Sequence, residues 1–230
     1  MDRRHFVSAL PVAVGVGSIG VAEAYGQGAS SQGTAASDEV AIASVVTGER
    51  WARDMAQWDA MQSAYHSGAT VDISWITGPA TEFVARSKDG YERGARSLHL
   101  LGPVLVKIHG DRATADVGAQ ILIPGTVRGV ECLTQSYCRI VERLERRGGS
   151  WGIVLLQTIY QMEAIMPANP GQTLTIEPVK LASYRPSYRF MSYVLEERGT
   201  RVRSDLPGID RPEAVAQLYK ANDAWLNGLA

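Results

Sequence analysis

Two side chains in this sequence could carry acid–base chemistry, and both have apolar neighbours. Asp54 lies about one helical turn from Trp51 and Trp58, at the edge of an apolar stripe. A carboxylate in such a place must find a partner or have its pKa raised. His99 is set in the apolar run of residues 97–102, and an imidazole can act as a base at neutral pH. Asp54 and His99 are therefore candidate catalytic residues.

The same two residues have a plainer interpretation. A single histidine in an apolar run is more often a hydrogen-bonded core residue than a base. The other histidines are weaker candidates, because His66 follows a predicted helix and His109 precedes the predicted turn at Gly110. Chemistry and core packing both stay open for His99 at this point.

Several aromatic residues could line a binding cavity. A tyrosine hydroxyl in such a cavity can hold a substrate carbonyl or a leaving group, and each of these residues could equally be part of the core. The candidates for substrate binding are Tyr65, Trp75, Tyr91, Tyr137 and Tyr160.

The elements that must position these residues follow from the hydrophobic periodicity. Apolar residues at three- and four-residue steps predict one continuous helix over residues 38–65, followed by a strand over residues 70–75. Residues 81–94 suggest one or two short helices. Alternation then predicts four strands, with turns at Gly110-Asp111 and residues 146–149 and a break at Pro124-Gly125, over residues 104–109, 113–123, 130–145 and 151–165.

This order of elements predicts an α+β fold in which helices cover one face of a curved antiparallel sheet. Such a sheet encloses a cone-shaped cavity, where a small hydrophobic ligand or substrate would bind. Residues 168–230 follow as a C-terminal helical extension with helices predicted over residues 184–198 and 213–226. This extension is too small for an independent domain, and we expect it to pack on the first domain or on a second subunit.

The N-terminus is typical of an export signal. Arg3 and Arg4 precede a short apolar run and an Ala-Glu-Ala site, so residues 1–24 are predicted to be a cleaved signal peptide of the twin-arginine type. A membrane anchor is the alternative, but about 15 apolar residues are short for a span. Residues 25–37 are rich in Gly, Ser, Ala and Gln and are predicted to be a disordered linker. The mature protein is then periplasmic or secreted, without stable membrane insertion.

Composition and cysteine spacing argue against nucleic-acid binding, a disulfide and a metal site. The formal net charge of −1 gives no basis for nucleic-acid binding. Cys132 and Cys138, on one predicted strand, would lie roughly 20 Å apart, too far for a disulfide. No histidine cluster accompanies them, so no metal site is predicted.

Five short segments together resemble the SnoaL-like proteins of the nuclear transport factor 2-like superfamily. The resemblance extends over residues 38–167 and is carried by residues 51–54, 58–61, 99–102, 110–113 and 145–151. It implies the cone-shaped α+β fold described above. Dimers formed through the outer face of the sheet are common in this superfamily, so a homo-oligomer is also expected.

The resemblance also implies a chemistry. Enzymes of this superfamily such as scytalone dehydratase and hexachlorocyclohexane dehydrochlorinase use an Asp–His pair, whose positions match Asp54 and His99. The histidine would remove a proton from carbon while the aspartate orients it, without any cofactor. The result would be β-elimination, including dehydration, or double-bond migration in a small apolar molecule. The superfamily also contains non-catalytic members, so a module that binds a hydrophobic ligand and a structural subunit are the alternatives.

Overall fold

The computed structural model describes the backbone of residues 29–229 and the side chains of residues 36–229. The predicted signal peptide lies outside these residues. The first helix, α1 (Ala29–Asp54), begins inside the stretch predicted as a linker. Asp38 anchors this part of the helix, because its carboxylate accepts hydrogen bonds from Arg146 and from Trp151 Nε1, the latter at 3.1 Å.

The continuous helix predicted over residues 38–65 is wrong, because the chain breaks after Asp54. Ala56 adopts a left-handed conformation with φ of 57°, and a second helix, α2 (Trp58–Ser63), then starts in a new direction. The predicted apolar stripe is therefore only partly buried. Trp51 and Met55 are 56% and 57% exposed, whereas Met61 is fully buried.

Six strands form a single curved sheet that does not close into a barrel. The strand order is β2-β1-β6-β5-β4-β3, and all neighbours are antiparallel except β1 and β6, which are parallel. One helix, α3, lies between β2 and β3. The bounds are β1 (Tyr65–Ile73), β2 (Ile76–Pro79), α3 (Ala80–Glu92), β3 (Leu98–His109), β4 (Arg112–Val127), β5 (Val130–Arg147) and β6 (Ser150–Pro167).

The predicted break at Pro124-Gly125 is also wrong. Both residues lie within β4, and the hairpin turn falls at Arg128-Gly129, where both φ angles are positive. Gly125 instead allows the Arg198 side chain to lie close to the backbone of β4, since a Cβ at position 125 would collide with the guanidinium. The predicted turns at Gly110-Asp111 and Gly148-Gly149 are confirmed.

The two faces of the sheet have different partners. The inner face presents small residues of β4, including Ala113, Ala115 and Ala119, to the main hydrophobic core. Helices α1 and α3 contribute Ile42, Val46 and Phe83 to the same core. Small side chains on the strand leave room for a helix to lie across this face. The α+β architecture with a helix-covered sheet is thus confirmed.

The C-terminal extension packs on the same domain. It contains α4 (Pro178–Ala182), a single 3-10 turn (Pro186–Tyr188), α5 (Arg189–Glu197) and α6 (Pro212–Leu226). The Glu163 carboxylate on β6 accepts two backbone N–H bonds at the start of α5. Leu218 of α6 packs against Val141 and Ile159 on the outer face of the sheet.

Cys132 and Cys138 are both free and buried, as the strand spacing predicts. Among the helices of residues 29–229, none is long and apolar enough to cross a bilayer.

Candidate functional site

Asp54 and His99, separated by 45 residues, meet in the interior. Asp54 Oδ1 lies 2.7 Å from His99 Nδ1, and Asp54 Oδ2 accepts the backbone N–H of His99 at 2.6 Å. Both side chains are buried, with 7% and 4% exposure. Two contacts to one carboxylate fix the orientation of the imidazole ring.

The elements explain why this contact forms. Asp54 is the last residue of α1, where the helix dipole disfavours a negative charge, so the carboxylate needs donors. His99 lies on β3, an edge strand whose outward amides have no neighbouring strand to bond. The register pairs His99 with Ile121, which places its ring on the inner face. The carboxylate at the end of α1 therefore accepts a backbone N–H that the edge strand β3 would otherwise leave without a partner.

The protonation states suit a base with an orienting partner. Burial alone would raise the pKa of Asp54, but the His99 hydrogen bonds outweigh it and hold that pKa below its usual value. Burial lowers the pKa of His99 to about 4; Asp54 opposes this, while Arg53 and Arg50 lower it further. At neutral pH the aspartate is ionised and the imidazole is neutral. Its Nε2 forms no hydrogen bond with any described residue, so this nitrogen can offer a lone pair.

Arg53 is the nearest positive charge to the pair. Its Nη1 donates to Ser97 Oγ at 2.6 Å and lies 3.8 Å from Asp54 Oδ1. Its guanidinium lies 6.0 Å from the centre of the Phe83 ring. Burial, followed by the charge of Arg50, lowers its pKa to about 10, so Arg53 is still a cation at neutral pH.

A second group of ionisable residues lies deeper in the core. Glu49 and Arg50 form a buried ion pair, and the Tyr65 hydroxyl donates to Glu49 Oε1 at 2.8 Å. Glu142 on β5 is buried with no hydrogen-bond partner among the described residues. Burial, followed by the charge of Glu49, raises the pKa of Glu142 to about 8, so this carboxyl is largely protonated at neutral pH.

Sequence reasoning missed Glu49, Arg50, Arg53 and Glu142. The signal for Glu142 was available in the alternation of β5, where it shares a face with Cys138, Ile140 and Leu144. Arg53 gave no such signal, because an arginine beside an aspartate is usually a solvated pair.

Three of the aromatic candidates lie on the helix side of the sheet. Tyr65 belongs to the Glu49 group. Trp75 packs on Phe83 with ring centres 5.3 Å apart. Tyr91 meets Trp58 edge-on at 5.7 Å, and both rings are half-buried.

The other two candidates do not line a hollow at His99. Tyr160 is a core residue whose hydroxyl accepts the backbone N–H of Ser74 at 2.9 Å. Tyr137 lies on the opposite face of the sheet from His99, since its neighbour Ser136 pairs with Ile121, the partner of His99. The Tyr137 hydroxyl bonds Gln120 and Gln135 there. Successive side chains of β5 point to opposite faces of the sheet, so Tyr137 does not line the cavity in which it was predicted to lie.

The inner face beside His99 is apolar and incompletely covered. Leu101, Val104, Ile121 and Ile123 lie on it and are only half-buried. Two clefts of about 700 and 340 Å³ lie elsewhere, beside the C-terminal extension, and neither contains Asp54 or His99. Within residues 36–229 no group of three His, Cys, Asp or Glu side chains is arranged to hold a metal ion.

Comparison with known proteins points to one family. A model of the SnoaL-like domain matches residues 34–157. Pea pathogenicity protein 2 of Fusarium vanettenii is 30% identical over 186 residues, which cover 76% of this chain and 80% of that protein.

Solved structures share the fold at low sequence identity. A protein of Novosphingobium aromaticivorans, named as a scytalone dehydratase, superposes with a TM-score of 0.51 at 12% identity and covers 63% of this chain and 99% of its own. LinA gives a TM-score of 0.51 at 14% identity, covering 64% of this chain and 99% of its own. These two likenesses show the nuclear transport factor 2-like fold.

Proposed function

The chain belongs to the SnoaL-like domain family, and on that premise we propose that it is a cofactor-independent lyase or isomerase. The substrate is a small, largely apolar molecule that loses a proton from carbon. The observation that carries the proposal is the two-point contact of Asp54 with the His99 ring and backbone. Half-buried apolar side chains beside His99 support an apolar substrate.

Each residue has one role in the proposed reaction. Asp54 accepts a hydrogen bond from Nδ1–H, which leaves the lone pair of His99 on Nε2. Nε2 takes a proton from a substrate carbon, and the ionised Asp54 stabilises the imidazolium that results. In elimination, the electrons of the broken C–H bond form a C=C bond and a leaving group departs from the neighbouring carbon with its bonding pair. In isomerisation, the double bond shifts and the proton returns to a different carbon.

A panel of hydroxylated, halogenated and keto compounds tests this proposal. His99→Gln should lower turnover by about 10²–10⁴-fold, the usual contribution of a general base. Asp54→Asn should also lower turnover, because the asparagine can turn its NH2 group toward Nδ1 and so favour the wrong tautomer of His99. His109→Gln, an exposed histidine on the same strand, is the matched control and should leave turnover unchanged. Full activity of the His99→Gln protein would exclude the proposal.

A non-catalytic binding module is the second candidate. The low pKa of His99 favours it, because an imidazole that titrates near 4 is a weak base in the ligand-free protein. This candidate predicts ligand binding without conversion, measured by calorimetry and by mass spectrometry of the recovered ligand. Recovery of a chemically changed ligand would rule it out.

We also propose that the protein is exported through its N-terminal segment, on the basis of Arg3, Arg4 and the apolar run that follows. Changing both arginines to lysine should retain the precursor inside a bacterial host with twin-arginine transport, as judged by cell fractionation. Export of the doubly substituted protein at the normal level would contradict this route.

A further inference from the structure

The solvent-exposed side of α1 is uncharged over about four turns. Large apolar side chains lie at both ends, with Val40 67% exposed at one end and Trp51 and Met55 56% and 57% exposed at the other. At about 100° per residue, these residues and the exposed ones between them fall within an arc of about 120° and extend over roughly 22 Å. We call this set the α1 stripe: Val40, Ala41, Ser44, Thr47, Gly48, Trp51 and Met55.

The charged residues of the same part of α1 face the interior. A surface helix normally carries its charges on the exposed face, so α1 shows the reverse of the usual pattern. The hydroxyls of the stripe also need little water, because Ser44 Oγ donates to the Val40 carbonyl at 2.8 Å and Thr47 Oγ1 donates to the Ala43 carbonyl at 2.7 Å. The inward-facing charged residues are Glu49, Arg50, Arg53 and Asp54.

Gly48, in the middle of the stripe, is not required by packing within one chain. A Cβ at this position would meet no atom within 4 Å. Glycine destabilises a helix interior relative to alanine, and the backbone here is helical. A glycine on a helix surface lets another backbone approach closely. The position therefore indicates a contact with a second molecule.

We propose that the α1 stripe binds the α1 stripe of a second copy of the chain, with the two helices antiparallel and a twofold axis at Gly48. Trp51 of one copy then lies over Ser44 of the other, and Met55 lies over Ala41. Large side chains thus face small ones along the whole contact. A parallel pair would instead place Trp51 against Trp51 and leave the small residues facing each other across a gap.

The absence of charge favours a second copy as the partner. In a twofold contact the residues near the axis meet their own counterparts, so any charge there would face a like charge. A face that binds a charged partner would carry the complementary charge. One helix per copy covers roughly 300–400 Å², about half of what a stable interface buries on each partner. The association is therefore weak and depends on concentration.

This contact lies on the opposite side of the molecule from the outer face of the sheet, because α1 covers the inner face. It goes beyond the proposed function but has a bearing on the site. Trp51 and Met55 lie close to Asp54 in the last turn of α1, so the second copy would cover the end of the helix that carries the candidate catalytic aspartate.

Disulfide trapping measures this contact alone. Ala41→Cys and Met55→Cys proteins are prepared separately, and both native cysteines are buried. Oxidation of the mixture should give a disulfide-linked dimer on a non-reducing gel, at a yield at least tenfold above that of either protein alone. Gly48→Arg in both proteins should lower this yield at least tenfold, because two guanidinium groups would meet at the axis. Ala216→Arg, at an exposed position of α6, is the matched control and should leave the yield unchanged.

The other outcomes overturn the proposal. A mixture that gives no more dimer than its separate components would exclude the contact, and so would an unchanged yield with Gly48→Arg. More dimer from Ala41→Cys alone than from the mixture would show a parallel pair. Co-sedimentation of the wild-type protein with phosphatidylglycerol vesicles, without any cross-link, would show that a lipid surface covers the stripe instead.

Circular dichroism confirms that each variant folds. If the Met55→Cys protein does not fold, a mixture of Ser44→Cys and Trp51→Cys proteins tests the same antiparallel arrangement, and failure of that mixture to cross-link would contradict it.

Discussion

At the scale of single residues, the ionisable groups inside the core are the main evidence for a functional site. Asp54 and His99 were accessible from the sequence because each stands out among apolar neighbours. Glu142 could have been found in the same way from the alternation of β5, but Arg53 could not, because a charged residue in an amphipathic helix is normally on the solvated side. Only the fold shows that α1 turns its charged end inward.

The Glu142 carboxyl should make stability depend on pH. Its pKa is about 8 in the folded protein against an ordinary value of 4.5. Between these values the folded state holds a proton that the unfolded state has released, so the free energy of unfolding should fall as pH rises through this window.

Glu142→Gln should reduce that fall by an amount on the order of a few kcal/mol between pH 5 and about 8. Urea unfolding at a series of pH values measures it. Glu131→Gln, at an exposed position of the same strand, is the control and should leave the slope unaltered. Glu163, whose pKa burial raises to about 7, should leave a residual slope of the same sign. Equal slopes for Glu142→Gln and the wild type would contradict the buried-acid interpretation.

At the scale of elements, local propensity explains both the successes and the errors. Alternation located β4, β5 and β6 because their inner faces are apolar and regular. The break after Asp54 could not be predicted, because Met55, Ala56 and Gln57 are all acceptable helix residues. The break depends on tertiary contacts: the bond from Asp54 to His99 holds the end of α1, and Met61 buries α2 against the core. At Gly125 the error is the opposite one, because a break is predicted where the strand continues. The glycine is needed there because the Arg198 side chain approaches the backbone closely.

The strained residue at this break gives a prediction. Ala56 has φ of 57°, a conformation that costs a non-glycine residue about 1–2 kcal/mol. Ala56→Gly should therefore raise the free energy of unfolding by about 0.5–1 kcal/mol, after the larger entropy of glycine in the unfolded chain is subtracted. Ala52→Gly, in the buried last turns of α1, should lower it by about 1 kcal/mol or more. Thermal unfolding compares the two, and destabilisation by Ala56→Gly would show that the turn is not strained.

At the scale of the whole molecule, the outer face of the sheet is only partly covered. Helix α6 covers Val141 and Ile159. A row of outer-face residues beyond it runs across four strands, from Leu100 through Gln120 and Tyr137 to Met162. Leu100 and Met162 are 49% and 60% exposed. Large apolar side chains left exposed on one face of a regular sheet can mark a contact with another protein.

We propose that this face joins two copies of the chain. Sedimentation equilibrium should detect a dimer or larger assembly of the wild-type protein, and Leu100→Lys should weaken it because the contact would bury a charge. Val179→Lys, at an 80% exposed position in α4, is the control and should assemble normally. A wild-type protein that stays monomeric at every concentration tested, or an unchanged Leu100→Lys protein, would contradict this interface.

Hydrogen exchange at carbon tests the central claim, that His99 held by Asp54 removes a proton from a carbon acid. β-Hydroxy and β,γ-unsaturated ketones would be incubated with the protein in D2O, and deuterium at the carbon next to the carbonyl followed by NMR. We expect the wild-type protein to accelerate exchange, Asp54→Asn to slow it, and His99→Gln to reduce it to the rate without protein. Exchange by His99→Gln at the wild-type rate would contradict the account.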